Sequence, residues 1–176
     1  MTDPRPETTS SLLIIMGVAG SGKSTLMTAL ASHLGWLAKD GDDLHPAANV
    51  AKMARGEPLS DTDREPWLAA IGDWMDHQSS AGRSAIVACS ALKRSYRNRL
   101  RDNRSGVDFV WLAGDPETLA RRLGSRQGHF MGHGMLASQI ATLEPPQPEE
   151  ILLRLEITDP TEVQVAKVLL ALGLRD

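Results

Sequence analysis

The 176-residue chain contains a single cysteine, Cys89, so it cannot form a disulfide within itself. We interpret this thiol as a buried structural side chain at the end of a strand and not as a reactive group. The chain also has no apolar run near the roughly 20 residues that a membrane span needs. Its first residues lack a basic segment followed by an apolar one, which argues against a secretory signal. We therefore expect a cytoplasmic protein without a membrane partner.

Basic charge is also scarce, because the formal net charge is −3 at pH 7. A protein that tracks nucleic-acid phosphates is usually basic, so we expect no nucleic-acid partner. Hydrophobic residues make up 41% of the chain, which is enough for one ordinary globular domain. Residues 1–11 are polar and include Pro4 and Pro6, so we predict a disordered tail there and a single domain over 12–176.

The characteristic motifs of a GTPase are absent as well. No apolar strand ends in D-x-x-G, and no N/T-K-x-D sequence is available to recognise guanine. An aspartate is also missing where a Walker B strand would end, since the apolar run 85–89 leads into Ser90. These absences argue against a guanine-nucleotide switch.

The most informative feature is the motif G-x-x-x-x-G-K-S at residues 17–24, which directly follows the apolar run Leu12–Met16. Glycines at these positions allow backbone N–H groups to surround an anion, and the lysine can reach the β- and γ-phosphates. The serine hydroxyl can ligate Mg²⁺, and the following helix adds a partial positive charge. The motif predicts a nucleoside triphosphate site formed by Gly17, Val18, Ala19, Gly20, Ser21, Gly22, Lys23, Ser24 and Thr25.

Strand-like and helix-like segments alternate along the rest of the chain. The predicted strands are 12–16, 36–38, 84–89, 109–113 and 151–157, and the predicted helices are 24–34, 46–54, 61–80, 92–102, 116–125 and 161–172. This alternation predicts an α/β protein with a three-layer α/β/α arrangement and a five-stranded, mostly parallel sheet. Segments 47–60 and 128–148 fit this pattern poorly, and we expect them to cover the acceptor and the nucleotide.

Two carboxylates follow the second predicted strand, in the sequence D-G-D-D-L-H at 40–45. Asp40 and Asp42 alternate at a strand end, so we expect their side chains to point to different sides. One carboxylate can organise Mg²⁺ while the other accepts a proton from a substrate hydroxyl. An Asp- and Gly-rich turn without a catalytic role is the alternative, but a position one helix after a phosphate loop favours function.

These motifs resemble those of the gluconokinase family of P-loop kinases, and the resemblance covers nearly the whole chain beyond residue 11. It rests on the phosphate loop, on D-G-D-D-L-H-P at 40–46, on C-S-A-L-K at 89–93 and on further matches at 49, 52–53, 56–59, 61, 63–64, 66–68, 96–97, 100–101, 128–130, 135–136, 138–139 and 143–144. The resemblance implies a P-loop kinase fold with a helical lid at about 126–148 and a homodimer. It also implies transfer of phosphate from ATP, with Mg²⁺, to D-gluconate in carbohydrate metabolism and the pentose phosphate pathway.

The resemblance, together with the need for cations and hydrogen-bonding groups around a small hydroxylated anion, suggests a set of site residues. The predicted catalytic residues are Lys23, Asp42 and Arg126, and the predicted metal ligands are Ser24 and Asp40. We expect the acceptor to be bound by Asp42, His45, Asn49, Lys52, Lys93, Arg97 and His129. Arg122 and Arg126, four residues apart on a predicted helix, are expected to contact adenine and the phosphates respectively.

Two other functions remain open at this point. One is a different small-molecule kinase, of the shikimate or nucleotide type. The other is a nucleotide-binding module without catalysis, in which Asp42, Arg122 and Arg126 would have no task.

Overall fold

The computed structural model describes residues 10–124 and 133–174. Within them, five strands form one sheet in the order β2-β3-β1-β4-β5, and all four strand pairings are parallel. The strands are β1 (Leu12–Met16), β2 (Leu37–Asp40), β3 (Ala85–Ala88), β4 (Val107–Ala113) and β5 (Leu153–Glu156). Every residue of β1 and β3 is buried, as expected for central strands covered on both faces.

Seven α-helices lie between and after the strands in the described part of the chain. They are α1 (Lys23–Leu34), α2 (Ala47–Ala54), α3 (Asp61–Ser80), α4 (Arg94–Arg101), α5 (Pro116–Gly124), α6 (His133–Thr142) and α7 (Thr161–Ala171). Two short 3₁₀ turns, Gly41–Leu44 and Pro148–Glu150, precede α2 and β5.

The helices cover the sheet on two sides. Alternate β1 residues point to opposite faces, so Leu13 and Ile15 join one apolar cluster while Leu12, Ile14 and Met16 join the other. The first cluster is completed by α1, α5, α6 and α7, and the second by α3 and α4. This confirms the predicted three-layer α/β/α fold.

The element boundaries differ from the sequence prediction in several places. The strand β2 begins one residue later than predicted and continues to Asp40, and α4 begins at Arg94 because Leu92 packs in the core before the helix starts. Helix α6 was not among the helices predicted from the apolar pattern, although the family resemblance implied a helical lid over this part of the chain. Several glycines precede this helix, and its amphipathic pattern is weak. The packing of Leu136 against the first cluster therefore stabilises the helix more than its own sequence does.

The start of the domain is defined by hydrogen bonds to the end of α3 and the start of β3. Ser10 Oγ lies 2.8 Å from Ser79 Oγ, and the Ser11 backbone N–H donates to Ser84 Oγ at 3.0 Å. These two residues of the predicted tail are therefore attached to the domain, while residues 1–9 lie outside the described residues. None of the helices in the described ranges has both the length and the apolar character that crossing a membrane requires.

Candidate active site

The glycine-rich loop lies between the carboxyl end of β1 and the start of α1. Gly17, Gly20 and Gly22 have φ angles of 151°, 80° and 94°, in the region that favours glycine. A Cβ atom on Gly20 would also lie 2.8 Å from the Leu123 side chain, so α5 packs directly on the loop. The predicted need for glycine at these three positions is confirmed.

Two hydrogen bonds hold the phosphate loop, one from within the loop and one from helix α6. The Lys23 ammonium donates to the Val18 carbonyl oxygen at 3.1 Å, which keeps the lysine folded over its own loop. The Ala19 N–H donates to Gln139 Oε1 on α6 at 2.6 Å. A side chain from α6 therefore binds a backbone donor of the phosphate loop.

Asp40 connects this loop to the next turn of the chain. Its Oδ2 accepts a hydrogen bond from Ser24 Oγ at 2.8 Å, and its Oδ1 accepts one from the Asp42 N–H at 3.0 Å. The strand ends at Asp40, which caps the 3₁₀ turn that contains Asp42, so the prediction from alternation along a strand is wrong. Strand residues two apart would in any case point to the same face. The side chain of Asp40 bonds back to the turn and thereby stops the strand.

The turn itself is held against the sheet by Gly41 and Trp67. A Cβ atom on Gly41 would lie 2.7 Å from the Ala88 carbonyl oxygen, so only glycine allows this approach. The Trp67 indole N–H, buried on α3, donates to the Gly41 carbonyl oxygen at 2.8 Å. Trp67 is thus a core residue that also fixes the position of the Asp42 turn.

A cleft of about 720 Å³ opens beside this turn, and we call it the Asp42 cleft. Its walls come from the Asp42 turn, α2 and the loop after it, the start of α3, the end of β3, and α6. The lining residues are Asp42, His45, Val50, Met53, Gly56, Glu57, Pro58, Leu59, Arg64, Trp67, Ser90, Gly134, Met135, Ser138 and Gln139. The walls are largely apolar, with a few charged groups directed into the space, which is typical of a small-molecule site.

His45 is held rigidly in the wall of the Asp42 cleft. Its ring stacks on Trp67 with centroids 4.4 Å apart, and only 4% of its side chain is exposed. Burial and the positive charge of Arg64 lower the pKa of His45 to about 4, so the ring is neutral at pH 7. Asn49 Nδ2 lies 3.3 Å from Nδ1 and donates to it, which places the ring proton on Nε2, 3.9 Å from Asp42 Oδ1.

Asp42 has the properties of a proton acceptor at the mouth of this cleft. Desolvation by the surrounding walls and the nearby charge of Asp40 raise the pKa of Asp42 above its usual range. Because 83% of the Asp42 side chain is accessible to solvent, the contribution of desolvation is small. We therefore attribute the raised pKa of Asp42 to repulsion by the Asp40 carboxylate. A carboxylate with a raised pKa accepts a proton more readily than an ordinary one.

The other cations predicted to bind the acceptor are already paired. Lys52 Nζ lies 2.7 Å from Asp63 Oδ2, and Lys93 Nζ lies 2.9 Å from both carboxylate oxygens of Asp61. Asn49 is buried and donates to the Asp63 carbonyl oxygen at 2.7 Å. These residues form a network at the start of α3 and do not line the Asp42 cleft.

Arg97 lies in the interior and does not reach the cleft. Its side chain is 1% exposed, its Nε donates to Glu150 Oε1 at 3.0 Å, and its Nη1 donates to the carbonyl oxygens of Ala91 and Leu92. With every contact internal to the protein, the guanidinium fastens the segment before α4 to the turn that precedes β5. The structure therefore does not support the predicted direct contact of Arg97 with the acceptor.

A second, smaller pocket lies on the other side of the phosphate loop, and we call it the Arg122 pocket. It has a volume of about 300 Å³ and is lined by Ser21, Gly22, Thr25, Arg122, Gln164 and the loop 157–161. Arg122 Nη2 donates to the Ile157 carbonyl oxygen, so the arginine forms one wall. The pocket adjoins the phosphate loop through Ser21, Gly22 and Thr25.

Two predicted site residues, Arg126 and His129, lie outside the described residues. Conversely, the predicted set of site residues did not include Arg64, Ser90 and Gln139, which line the Asp42 cleft, although all three lie in segments that match the family motifs. Arg64 precedes Trp67 by three residues on α3, so helical spacing from the buried tryptophan was the available signal. For Gln139 the available signal was its place in the family match at 138–139, because the apolar pattern did not predict its helix.

Comparison with known proteins agrees with this arrangement. A family model described as an AAA domain matches residues 12–146. The gluconokinase of Gluconobacter oxydans (strain 621H) is 51% identical over 142 residues, which cover 81% of this chain and 80% of the relative. The thermoresistant gluconokinase of Escherichia coli (strain K12) is 40% identical, covering 90% and 91%.

A solved structure leads to the same family. The crystal structure of a gluconokinase from Sinorhizobium meliloti 1021 superposes with a TM-score of 0.83 and 40% sequence identity, and the match covers 95% of this chain and 94% of that chain. Identity of this size over nearly the full length of both chains goes beyond a shared fold. The chain belongs to the gluconokinase family of P-loop kinases.

Proposed function

We propose that this protein transfers the γ-phosphoryl group of ATP to D-gluconate, giving 6-phospho-D-gluconate and ADP. The single observation that carries the proposal is the pair of hydrogen bonds made by Asp40 to Ser24 and to the Asp42 N–H. Through them, the phosphate loop and the acceptor-side carboxylate are held together as one unit. The names of the relatives support gluconate as the acceptor.

In this reaction the acceptor hydroxyl oxygen forms a bond to the γ-phosphorus while the bond from that phosphorus to the β–γ bridging oxygen breaks. Asp42 receives the hydroxyl proton, which its raised pKa favours. The backbone N–H groups of the loop and the Lys23 ammonium stabilise the negative charge on the phosphates. We expect Lys23 to leave the Val18 carbonyl oxygen and turn to the phosphate when ATP binds.

The residues that face each other at Ser24 and Asp40 also suit a magnesium ion. A serine hydroxyl and a carboxylate are oxygen donors, which Mg²⁺ prefers, and their oxygens lie 2.8 Å apart beside the phosphate loop. We propose that Ser24 and Asp40 hold Mg²⁺ there, directly or through water. When bound, the ion supplies charge neutralisation of the phosphates.

The experiment that tests the proposal measures ADP release with a panel of acceptors, namely sugar acids, shikimate and nucleoside monophosphates. We expect turnover with D-gluconate that depends on Mg²⁺ and disappears in Lys23→Met. Preferred turnover with shikimate or a nucleotide would replace the proposal by another kinase. Nucleotide binding without turnover of any acceptor would instead identify a binding module.

The family resemblance also supports three further proposals: a homodimer, a cytoplasmic location, and a product that enters the pentose phosphate pathway. The first of these is the simplest to test on the purified protein. Light scattering coupled to gel filtration should give twice the chain mass of 19.1 kDa. A particle of one chain mass across micromolar concentrations would contradict the homodimer.

A further inference from the structure

The cations around the Asp42 cleft differ in whether they already have a carboxylate partner. Lys52 is bound to Asp63, Lys93 is bound to Asp61, and Arg97 is bound to Glu150. Arg64, by contrast, forms no ion pair in the described part of the chain, and its Nε is buried with no hydrogen-bond partner there. A buried donor left without a partner costs about 1–3 kcal/mol, so its retention in a ligand cleft needs an explanation.

The backbone that carries Arg64 is fixed from several directions. Ser60 and Asp63 form a reciprocal capping box at the start of α3, with hydrogen bonds of 2.7 and 3.1 Å. Asp63 also binds Lys52, and hydrogen bonds from Lys52 and Ser60 lower the pKa of Asp63 to about 2, so it stays ionised. The first turn of α3 is thus locked before any ligand arrives.

The guanidinium of Arg64 is also restrained at its far end. Its Cζ lies 5.6 Å from the centroid of the Tyr96 ring, within cation–π range. The Tyr96 hydroxyl is in turn held by a hydrogen bond to Asp61. Arg64 therefore presents an ordered, planar cation to the cleft, and such a group suits a carboxylate by paired hydrogen bonds.

The Asp42 cleft has a charge polarity that orients an aldonate. Asp42 is anionic and repels a carboxylate, while it accepts hydrogen bonds from hydroxyl groups. Glu57, the other acid in the lining, is paired with Arg55 at 2.7 Å. The apolar side chains of Met53, Leu59 and Trp67 lower the local dielectric, which strengthens an ion pair formed inside the cleft.

We propose that Arg64 is the specificity-determining residue that binds the carboxylate of the acceptor, and so directs the distal hydroxyl of the sugar acid toward Asp42. The inference rests on the proposed function and adds to it the residue that distinguishes an acid from a neutral polyol. Lys52 and Lys93 are then positioning residues. Lys52 holds the start of α3 through Asp63, and Lys93 binds Asp61, the carboxylate that also holds Tyr96 under Arg64.

The test compares wild type with Arg64→Gln and Arg64→Lys in steady-state kinetics, using D-gluconate and D-glucitol, which has no carboxylate. We expect Arg64→Gln to raise the KM for D-gluconate about 10²-fold, with a smaller change in kcat and the ATP KM within threefold. The preference for D-gluconate over D-glucitol, measured as the ratio of kcat/KM values, should fall by a similar factor. Arg64→Lys should recover part of the lost affinity for D-gluconate, since lysine keeps the positive charge but not the paired N–H donors of the guanidinium.

The matched control is Arg99→Gln, which removes an arginine from α4 with the same change in charge. Arg99 is half exposed and lies 3.8 Å from Glu65, so we expect its KM for D-gluconate to stay at the wild-type value. A KM of Arg64→Gln within twofold of wild type would overturn the inference. Equal losses with D-gluconate and D-glucitol would overturn it too, because a merely structural role produces them.

Failure of the inference is distinguishable from failure of the proposed function. If wild type turns over D-gluconate while Arg64→Gln keeps its selectivity, only the role of Arg64 is wrong. If wild type does not turn over D-gluconate at all, the proposed function is wrong. In that event, calorimetry measures the Kd for D-gluconate of wild type and of Arg64→Gln. Equal Kd values would overturn the inference as well.

Discussion

Gln139 Oε1 accepts a hydrogen bond from the Ala19 backbone N–H at 2.6 Å, which joins α6 to the phosphate loop. The same glutamine lines the Asp42 cleft. At its C-terminal end, the segment that follows α6 is tied to α4, because Glu144 Oε2 accepts from the Arg94 N–H and the Glu144 N–H donates to the Leu92 carbonyl oxygen. One side chain thus connects the two binding regions through a helix that is fixed at its other end.

Gln139→Leu keeps the size of the side chain but removes the acceptor. We expect kcat for D-gluconate to fall about tenfold, because the cleft wall is no longer aligned with the loop, with a cost in unfolding free energy of about 1 kcal/mol. Kinetics and urea unfolding measure the two effects. Thr142→Ala, an exposed change on the same helix, is the control and should leave kcat at the wild-type value. Wild-type turnover in Gln139→Leu would remove this contact from the reaction.

Lys23→Met should lower kcat by about 10³-fold or more, because it removes the charge-assisted contact with the transferring phosphate. The fold should persist, since Lys23 binds the Val18 carbonyl oxygen of its own loop and belongs to neither apolar cluster. Circular dichroism and thermal unfolding check the fold, and ADP release checks the rate. Near-normal turnover in a folded Lys23→Met protein would contradict the phosphate-loop assignment.

Asp42→Asn and Asp40→Asn should both reduce activity but differ in their response to magnesium. Asp42→Asn removes the proton acceptor, for a loss of about 10²- to 10⁴-fold that added Mg²⁺ does not restore. Asp40→Asn weakens the proposed metal site and should be partly rescued by raising Mg²⁺. Titrating Mg²⁺ for both variants checks this, and identical responses would refute the assignment of separate roles.

Arg122→Ala should raise the KM for ATP more than it lowers kcat, because Arg122 forms a wall of the Arg122 pocket next to the phosphate loop. Arg126 lies outside the described residues, and we keep the prediction that Arg126→Ala mainly lowers kcat. Arg121→Ala is a suitable control, since Arg121 is exposed and bonds to Thr118 on the same helix. If Arg122→Ala and Arg126→Ala both keep wild-type kinetics, neither arginine belongs to the active site.

His45 should make the stability of the protein depend on pH in the acid range. Its pKa is about 4 in the folded state and about 6.5 when unfolded, so the unfolded chain binds the proton more tightly. The contribution of the neutral ring is fully present above pH 6.5 and is lost as the pH falls toward 4. Between pH 7.5 and 4.5 we expect wild type to lose about 2–3 kcal/mol more than His45→Gln in urea unfolding. Equal losses in the two proteins would show that His45 titrates normally.

The local sequence was sufficient to predict those parts of the structure that depend only on residues close to each other along the chain. The phosphate loop was predicted because the positive φ angles of Gly17, Gly20 and Gly22 belong to single residues in a short motif. Burial of Cys89, whose pKa rises to about 12 because of desolvation, followed from its place at the end of an apolar strand. The apolar pattern did not predict helix α6, which only the family resemblance implied, since the stability of this helix comes from packing and not from its own pattern.

The sequence by itself determined the fold class, the phosphate loop, the aspartates at 40 and 42 and, through family resemblance, the kind of reaction. Only the tertiary structure decided which cations are available to a ligand. Lys52 and Asp63 are 11 residues apart, Lys93 and Asp61 are 32 apart, and Arg97 and Glu150 are 53 apart. Whether a charge is neutralised or left facing a cleft depends on such distant partners, and the spacing of residues along the chain does not specify them.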